Sequence, residues 1–289
     1  MASLKDLRRR IRATKSMQQI FKAMEMVAAA KLRRAHMRAQ AASPYSAKIS
    51  AMLANLAAAA ADLEHPLFQA REVKVTALVL ITADRGFAGA YNTAVLRVAE
   101  ARLKTAAPGS IQCVVVGRKG RDYLRRRGYP VLAAHTDLPG EASLELARSI
   151  THDLTERFLR GEVDRVEILY THYVNAIVRK VLSETFLPIG TAAGTGSTPP
   201  PAGSGDTIFE PDAESIFAEL LPRYATAKLY ASMADSLASE HSARMVAMGS
   251  ARKNAGELVD SLTLTRNRLR QAAITREISE LVGGAEALN

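Results

Sequence analysis

The sequence contains little cysteine, no tryptophan and no long apolar run. Cys113 is the only cysteine among 289 residues, which excludes an intrachain disulfide and a zinc site built from several cysteines. The longest apolar stretch, residues 51–61, contains Asn55 and is far shorter than the ~20 residues with which a helix spans a membrane. The composition is otherwise typical of folded proteins, so we expect a folded chain without a transmembrane segment.

Catalytic and metal-binding motifs are also missing. Residues 86–89 and 117–120 are glycine-containing turns after predicted strands, but neither has the GxGxxG or P-loop pattern, so both are interpreted as strand-to-helix turns. The six histidines have no metal-ligand spacing, and the adjacent Asp84 and Arg85 predict an ion pair that stabilises a turn. We therefore expect no catalytic residue, no metal ligand and no bound cofactor in this chain.

The net charge of +10 comes from one segment of the chain. Residues 1–48 contain twelve lysines and arginines and only two acidic residues, whereas the rest of the chain is formally neutral. A basic segment of this kind predicts an acidic partner, which can be nucleic acid, anionic lipid or an acidic protein surface. The predicted basic face comprises Arg8, Arg9, Arg10, Arg12, Arg33 and Arg34.

The first part of the chain has the pattern of a long amphipathic helix. Residues 4–42 contain no glycine or proline, and apolar residues recur every three or four positions, with one phase slip near Thr14. The predicted apolar positions of this helix are Leu4, Leu7, Ile11, Met17, Ile20, Met24, Val27, Ala28, Leu32 and Ala35. Pro44 is expected to kink or interrupt the helix.

The last part of the chain has the same character. Residues 213–282 carry a heptad pattern that begins at Phe217, and a helix of this length needs a partner along its whole length. The two ends of the chain are therefore predicted to form an antiparallel coiled coil. Four heptad positions are unsuitable for a buried contact and are expected to face away from the partner helix: His241, Arg252, Arg266 and Arg276.

The middle of the chain alternates strands and helices, which predicts an inserted Rossmann-like α/β domain with a largely parallel sheet. Strands are predicted at residues 73–83, 111–116, 163–173 and 178–187, the last two joined by a hairpin near Asn175, with helices at residues 91–104 and 142–160. The predicted fold is thus an α/β domain combined with a long antiparallel coiled coil of the terminal helices. The predicted boundaries are 1–62 for the N-terminal helix, 73–188 for the α/β domain, 189–209 for a flexible loop and 210–289 for the C-terminal helix.

Several segments resemble the gamma subunit of F-type ATP synthases, and they occur in the same order as in that family. They are residues 1–12 (MASLKDLRRRIR), 22–34 (KAMEMVAAAKLRR), 81–92 (ITADRGFAGAYN), 238–248 (ASEHSARMVAM), 254–258 (NAGEL) and 262–278 (LTLTRNRLRQAAITREI). The resemblance covers nearly the whole chain. It departs from the family pattern at Ala88 and Ala90, where the family commonly has cysteine and glycine, so no redox role is expected in that turn.

The resemblance implies a rotor shaft. In this family the terminal helices form an asymmetric coiled coil inside a hexamer of alternating alpha and beta subunits, and the α/β domain lies against the epsilon subunit and the membrane c-ring. The shaft turns with the c-ring and drives each catalytic beta subunit through open, loose and tight states. ATP, ADP and magnesium belong to the alpha and beta subunits, so this chain is expected to be non-catalytic and peripheral, on the cytoplasmic face of a bacterial plasma membrane.

The resemblance also implies which residues contact the beta subunit. The family's catch contact carries over to Arg270 and Gln271, with Thr275 and Glu277 on the following turns. Met24 matches a family position packed where the N-terminal helix passes that contact. On pattern alone, these five residues are ordinary exposed or seam residues of long helices.

The alternative interpretation is a basic coiled coil that binds nucleic acid. The charge of residues 1–48 agrees with it, but aromatic residues suitable for base stacking are limited there to Phe21 and Tyr45. The resemblance favours the ATP synthase interpretation, in which no nucleic acid is bound.

Overall fold

The computed structural model describes residues 3–59, 65–189 and 213–286, and these residues form two compact units. The smaller unit combines residues 1–28 with residues 245–289, and the larger unit comprises residues 29–244. The helices and strands are α1 (Leu4–Ala59), β1 (Thr76–Ile81), α2 (Tyr91–Thr105), β2 (Ile111–Val116), α3 (Arg118–Arg126), β3 (Val131–His135), α4 (Leu144–Leu159), β4 (Arg165–Tyr173), β5 (Arg179–Leu187) and α5 (Ala213–Glu286). The loop predicted at residues 189–209 lies outside the described residues from residue 190 onward.

The larger unit is built on a five-stranded sheet in the order β3-β2-β1-β4-β5. β1 pairs in parallel with β2 and β4, and β2 pairs in parallel with β3. β5 pairs antiparallel with β4, which confirms the predicted hairpin. At its tip, Asn175 Oδ1 accepts hydrogen bonds from the backbone N–H groups of Ile177 and Val178, at 2.9 and 2.8 Å.

Strand side chains alternate between two apolar cores, because successive residues of a strand point to opposite faces of the sheet. On one face, Val79 and Ile168 share a core with Leu154 of α4 and Leu229 of α5. On the other face, Leu80 shares a core with side chains of α2 and α3: Val95, Ala99 and Leu124. The larger unit is thus a layered α/β structure, as the sequence predicted.

Two elements were not predicted from the sequence. α3 begins directly after the turn at Gly117, and β3 follows as the edge strand beside β2. β3 has the sequence VLAAH, which is short and only partly buried, so its pattern carries little strand signal. The N-terminal helix also differs from expectation, because α1 continues through Pro44. Helix α5 begins at Ala213, within the segment predicted to be helical, and it includes Pro222.

In the smaller unit, α1 and α5 pair in antiparallel directions. Glu25 lies beside Gly249 and Arg252, whereas Gln18, two turns earlier in α1, lies beside Gly256, further along α5. The buried and half-buried residues that repeat along α1 form a contact seam: Leu7, Ile11, Thr14, Gln18, Phe21, Glu25 and Ala28. Their spacing alternates between four and three residues without interruption, so the phase slip predicted near Thr14 is wrong.

Candidate functional site

The predicted apolar positions of α1 are divided between the contact seam, which contains Leu7, Ile11 and Ala28, and a second, solvent-facing surface. Met17, Ile20 and Val27 are 47%, 55% and 56% exposed, so they do not lie in the contact seam. At about 100° of rotation per residue, these three and the half-buried Met24 fall on one apolar stripe, whose centre lies about 110° from the centre of the seam. The sequence pattern merged two apolar surfaces of one helix, and this explains the apparent phase slip.

Basic residues form a third face of the same helix. The exposed side chains of Arg8, Arg12, Lys15 and Lys22 fall within a sector of about 80° and make a basic stripe. Of the predicted basic residues, Arg8 and Arg12 belong to this stripe, whereas the exposed Arg9 and Arg10 point to other sides of the helix. Arg33 and Arg34 are exposed as well, but they belong to the larger unit.

A polar contact occupies the middle of the helix pair. Arg252 Nε donates to Glu25 Oε2 at 2.9 Å, so Arg252 faces the partner helix, contrary to the prediction from its heptad position. Gly249 leaves room for the carboxylate, because a Cβ atom there would lie 3.1 Å from Glu25 Oε1. Gly256 likewise leaves room for Gln18. A Cβ atom on Gly256 would lie 2.9 Å from the Gln18 amide nitrogen.

The C-terminal end of α5 has no partner among the described residues. Ala273 is the last half-buried residue, and every side chain from residue 274 to residue 282 is exposed. This bare segment carries four large apolar side chains: Ile274, Ile278, Leu281 and Val282. Apolar residues exposed in series on a single helix indicate a binding surface for another protein.

The residues inferred from the family's catch contact lie where the bare segment begins. Arg270, Gln271, Thr275 and Glu277 are all exposed and follow one another on α5. Met24 is not among them, because its neighbour Glu25 is opposite Arg252, about five turns or about 27 Å of helix before Arg270. The structure thus groups four of the five residues and places Met24 at a different height, in the apolar stripe.

In the larger unit, the turn after β1 is organised by Asp84. Its Oδ1 accepts the backbone N–H of Arg118 at 2.7 Å, and its Oδ2 accepts that of Leu138 at 2.6 Å. The predicted ion pair with Arg85 is therefore wrong: the carboxylate binds the first N–H group of α3 instead. That group lies at the carboxyl end of the parallel sheet, where nucleotide-binding α/β domains hold phosphate.

The other free N–H groups at the start of α3 are also bonded within the chain. Lys119 N donates to the carbonyl oxygen of Ala83 at 3.0 Å, and Gly120 N donates to Thr82 Oγ1 at 3.0 Å. The glycines of this turn serve close packing, because a Cβ atom on Gly117 would lie 2.2 Å from the Thr82 carbonyl oxygen. These contacts confirm residues 117–120 as a strand-to-helix turn and leave it without the free donors of a phosphate site.

A cavity of about 410 Å³ opens beside this turn, between α5 and the ends of β1 and β2. Its lining contains four basic and four acidic side chains, several of them paired, such as Arg244 with Glu240 at 2.6 Å. His241, predicted to face away from the partner helix, is buried in this lining. Burial and the nearby Arg244 and Lys31 lower the pKa of His241 to about 4, so its imidazole is neutral at pH 7.

The described residues contain neither a metal-ligand cluster nor a membrane-spanning helix. Within residues 3–59, 65–189 and 213–286, no group of three or more His, Cys, Asp or Glu side chains is arranged to hold a metal ion. No helix described there is long and apolar enough to cross a membrane. The single thiol, Cys113, is buried in β2, and desolvation raises its pKa to about 12.

Comparison with solved structures gives the same fold. The chain aligns with a chain of the Euglena gracilis mitochondrial ATP synthase, in a structure of OSCP, F1 and the c-ring, with a TM-score of 0.71 at 19% identity, covering 99% of this chain and 94% of that one. A chain from the central stalk and c-ring of the Tetrahymena thermophila mitochondrial ATP synthase aligns with a TM-score of 0.62 at 23% identity, covering 80% and 99%. At these identities the likeness shows the fold, and it confirms an α/β domain with long terminal helices.

Comparison of sequences identifies the family. The family model described as ATP synthase matches residues 3–288. The ATP synthase gamma chains of Desulforamulus reducens and Moorella thermoacetica are each 45% identical to this chain over the full length of both proteins. That of Symbiobacterium thermophilum is 46% identical over 98% of each chain. With matches of this extent, the chain belongs to the ATP synthase gamma chain family.

Proposed function

We propose that this chain is the central rotor shaft of an F-type ATP synthase and passes the rotation of an ion-driven c-ring to the catalytic beta subunits. The observation that carries this proposal is the arrangement of three different faces on α1: the contact seam, the basic stripe and the apolar stripe. A ligand shifts a conformational equilibrium only if it binds the states unequally. A shaft with unlike faces can bind these states unequally, because its rotation presents first the basic stripe and then the apolar stripe to each beta subunit.

The proposed partners follow from the same architecture. The helix pair of the smaller unit lies inside a hexamer of alpha and beta subunits, and the α/β unit lies against the epsilon subunit and the c-ring. The solved structures with the same fold belong to ATP synthase assemblies that contain F1, the central stalk and the c-ring, which supports this assignment. In such a complex the chain is peripheral, on the cytoplasmic face of a bacterial plasma membrane.

We assign no reaction to the chain itself. ATP, ADP and magnesium are bound by the alpha and beta subunits in this proposal. The turn at the carboxyl end of the sheet supports it, because Asp84, Ala83 and Thr82 occupy the N–H groups of α3 that a nucleotide phosphate would use. The relatives named above are ATP synthase gamma chains, so the nucleic-acid-binding alternative finds no support among them.

The bare segment of α5 supports binding to another protein. Ile274, Ile278, Leu281 and Val282 fall within a sector of about 100° around the helix, so they form one exposed apolar face that a protein partner can cover. Just before this segment, we assign Arg270, Gln271, Thr275 and Glu277 to the catch contact with a beta subunit. Met24 belongs to a separate contact, made by the apolar stripe nearer the base of the helix pair.

The catch assignment is tested by replacing Arg270 and Gln271 together with alanine. Both side chains are exposed in the isolated chain, so the free energy of its unfolding should change by less than about 0.5 kcal/mol. In a reconstituted complex with alpha and beta subunits, the loss of two polar contacts should lower the ATPase rate about tenfold. The measurement is steady-state ATP hydrolysis at saturating ATP.

The matched control is Arg125→Ala, which removes an exposed arginine from α3. Its ATPase rate should equal that of the unaltered complex. If the Arg270→Ala, Gln271→Ala complex also hydrolyses ATP at the unaltered rate, these residues are not the catch. Failure of the unaltered chain to copurify with alpha and beta subunits from membranes would overturn the rotor proposal itself.

A further inference from the structure

Helix α5 lies across the face of the sheet in the larger unit and shares an apolar core with it. Leu221, Ala225, Leu229 and Met233 belong to the same buried cluster as strand residues of β1 and β4. This contact fixes the helix against the sheet, but apolar burial is not directional. Resistance to rolling of α5 about its own axis therefore requires directional contacts.

Polar side chains of α5 supply such contacts to the hairpin of β4 and β5. Lys228 Nζ donates to the Thr185 carbonyl oxygen at 2.7 Å, and Ser242 Oγ donates to the Ala176 carbonyl oxygen at 2.7 Å. Between them, Asp235 takes two contacts on β4, accepting the Tyr173 backbone N–H at 2.9 Å and lying 2.6 Å from His172 Nδ1. These three side chains fall within about 40° of one another around the helix.

A second group of contacts lies on a different side of α5. The Ser236 hydroxyl is fully buried and lies 2.7 Å from the hydroxyl of Tyr91 at the start of α2. Arg244 Nη2 donates to the Gly86 carbonyl oxygen at 3.2 Å, in the turn between β1 and α2. Glu240 holds that guanidinium in place through a 2.6 Å contact with the same Nη2.

The two groups hold the helix from different directions. At about 100° of rotation per residue, Ser236 and Arg244 lie about 80° and 160° from Lys228, on the side away from Ser242. The five side chains together span about 200° of the circumference of α5. Since hydrogen bonds weaken steeply as their geometry is distorted, rolling the helix either way must break one group or the other.

We propose that Lys228, Asp235, Ser236, Ser242 and Arg244 form a torque clamp, which prevents α5 from rolling on the α/β unit. This inference rests on the proposed rotor function, because only a rotating shaft transmits torque through this joint. Rotation of the α/β unit then turns the part of α5 that packs against its sheet. These residues position α5 and touch neither nucleotide nor ion.

The test uses the complete ATP synthase in sealed vesicles, with two pairs of substitutions in this chain. Asp235→Ala with Ser242→Ala weakens the hairpin side, where only Lys228 of the clamp remains, and Tyr91→Phe with Ser236→Ala weakens the other side, where only Arg244 remains. Rotation without load requires little torque, so ATP hydrolysis in the presence of an ionophore should stay within about twofold of the unaltered rate. The number of ions pumped per ATP against an established gradient should fall at least about twofold when both pairs are combined.

The control is Glu219→Ala with Arg223→Ala, which removes an exposed ion pair of α5 with a 2.5 Å contact and no part in the clamp. It should pump as the unaltered enzyme does, and restoring Asp235 and Ser242 in the combined variant should recover part of the lost coupling. If the combined variant does not fold, each pair is tested alone, and we then expect a smaller loss in the number of ions pumped per ATP.

Two results would contradict the inference in different ways. A combined variant that assembles and pumps the unaltered number of ions per ATP against the same gradient would exclude the clamp while leaving the rotor function intact. An unaltered chain that does not assemble with alpha and beta subunits would overturn the rotor function and the clamp with it.

Discussion

At the scale of single residues, Asp84 illustrates how one side chain changes what a fold can bind. A parallel sheet followed by a helix presents free N–H groups where the two meet, and these groups attract anions. Here a carboxylate of the chain itself accepts one of them and also holds the backbone of Leu138. These contacts hold the segment after β3 close to the turn after β1. Asp84 therefore stabilises the domain at the place where nucleotide-binding α/β domains bind phosphate.

His241 gives a prediction about pH at the same scale. Its pKa in the folded chain, about 4, is below its ordinary value of 6.5, so the unfolded chain binds the proton more tightly. The contribution of His241 to stability is therefore complete above pH 6.5 and is lost as the pH falls toward 4, by at most about 3 kcal/mol. Urea unfolding at pH 7 and pH 4.5 measures the difference.

The substitution His241→Gln should flatten this dependence, because glutamine does not titrate. An equal pH dependence in the His241→Gln variant and the unaltered chain would show that other groups cause it.

At the scale of elements, α1 shows that a helical sequence pattern predicts the presence of a helix more reliably than it predicts which face of the helix is buried. The residues that pack against α5 include Thr14, Gln18 and Glu25, whereas the more apolar Met17, Ile20 and Val27 face solvent. Gly249 and Gly256 on α5 make this possible by leaving space for long polar side chains. Polar residues at seam positions fix the register of a coiled coil at some cost in stability.

The Glu25–Arg252 ion pair is predicted to contribute modestly to the pairing of α1 with α5. Both side chains are partly exposed, so a double-mutant cycle with Glu25→Ala and Arg252→Ala should give a coupling free energy of about 0.5 kcal/mol at low salt. In 1 M salt the coupling should become too small to measure. Urea unfolding of the four variants, followed by helical circular dichroism, provides the values.

The Lys253–Glu257 pair on α5 is the matched control. It is more exposed, its atoms are 3.9 Å apart, and both residues belong to the same helix. Its coupling should be smaller than that of Glu25 with Arg252 at every salt concentration. Equal coupling in the two cycles would mean that the pair between the helices has no special role in register.

At the scale of the whole molecule, the charge distribution matters more than its sum. The excess of +10 lies in residues 1–48, and the basic residues of this segment that belong to the smaller unit are divided between a basic stripe and other faces of α1. A uniformly basic helix would present the same potential to each neighbour in a ring. A basic stripe beside an apolar stripe makes the binding energy depend on the angle of rotation, as a rotor requires.

This distribution predicts a specific effect of charge removal on assembly. Arg8→Gln with Arg12→Gln removes two charges from the basic stripe and should slow association with the alpha and beta subunits about two- to tenfold at low salt. Arg9→Gln with Arg10→Gln removes the same charge from other faces and should have a smaller effect. Stopped-flow association at low and high ionic strength tests both, and equal slowing would mean that only the net charge matters.

The sequence by itself determined the elements that depend on neighbours in the chain. The absence of glycine and proline from residues 4–42 and the heptads from Phe217 onward predicted the two long helices, and the β-branched runs predicted β1, β2, β4 and β5. The resemblance to the gamma family supplied the function and the catch residues, which no local pattern marks. α3 and β3 were missed because their short segments carry weak periodicity.

Only the tertiary structure decided which surfaces are covered. It assigned Thr14 to the contact seam and Met17 to solvent, gave Arg252 a partner in Glu25, and placed Asp84 on the first N–H group of α3. The physical reason is common to all three. Helical periodicity arises from contacts within about four residues, whereas burial and hydrogen-bond partners depend on groups that are distant in sequence and meet only after folding.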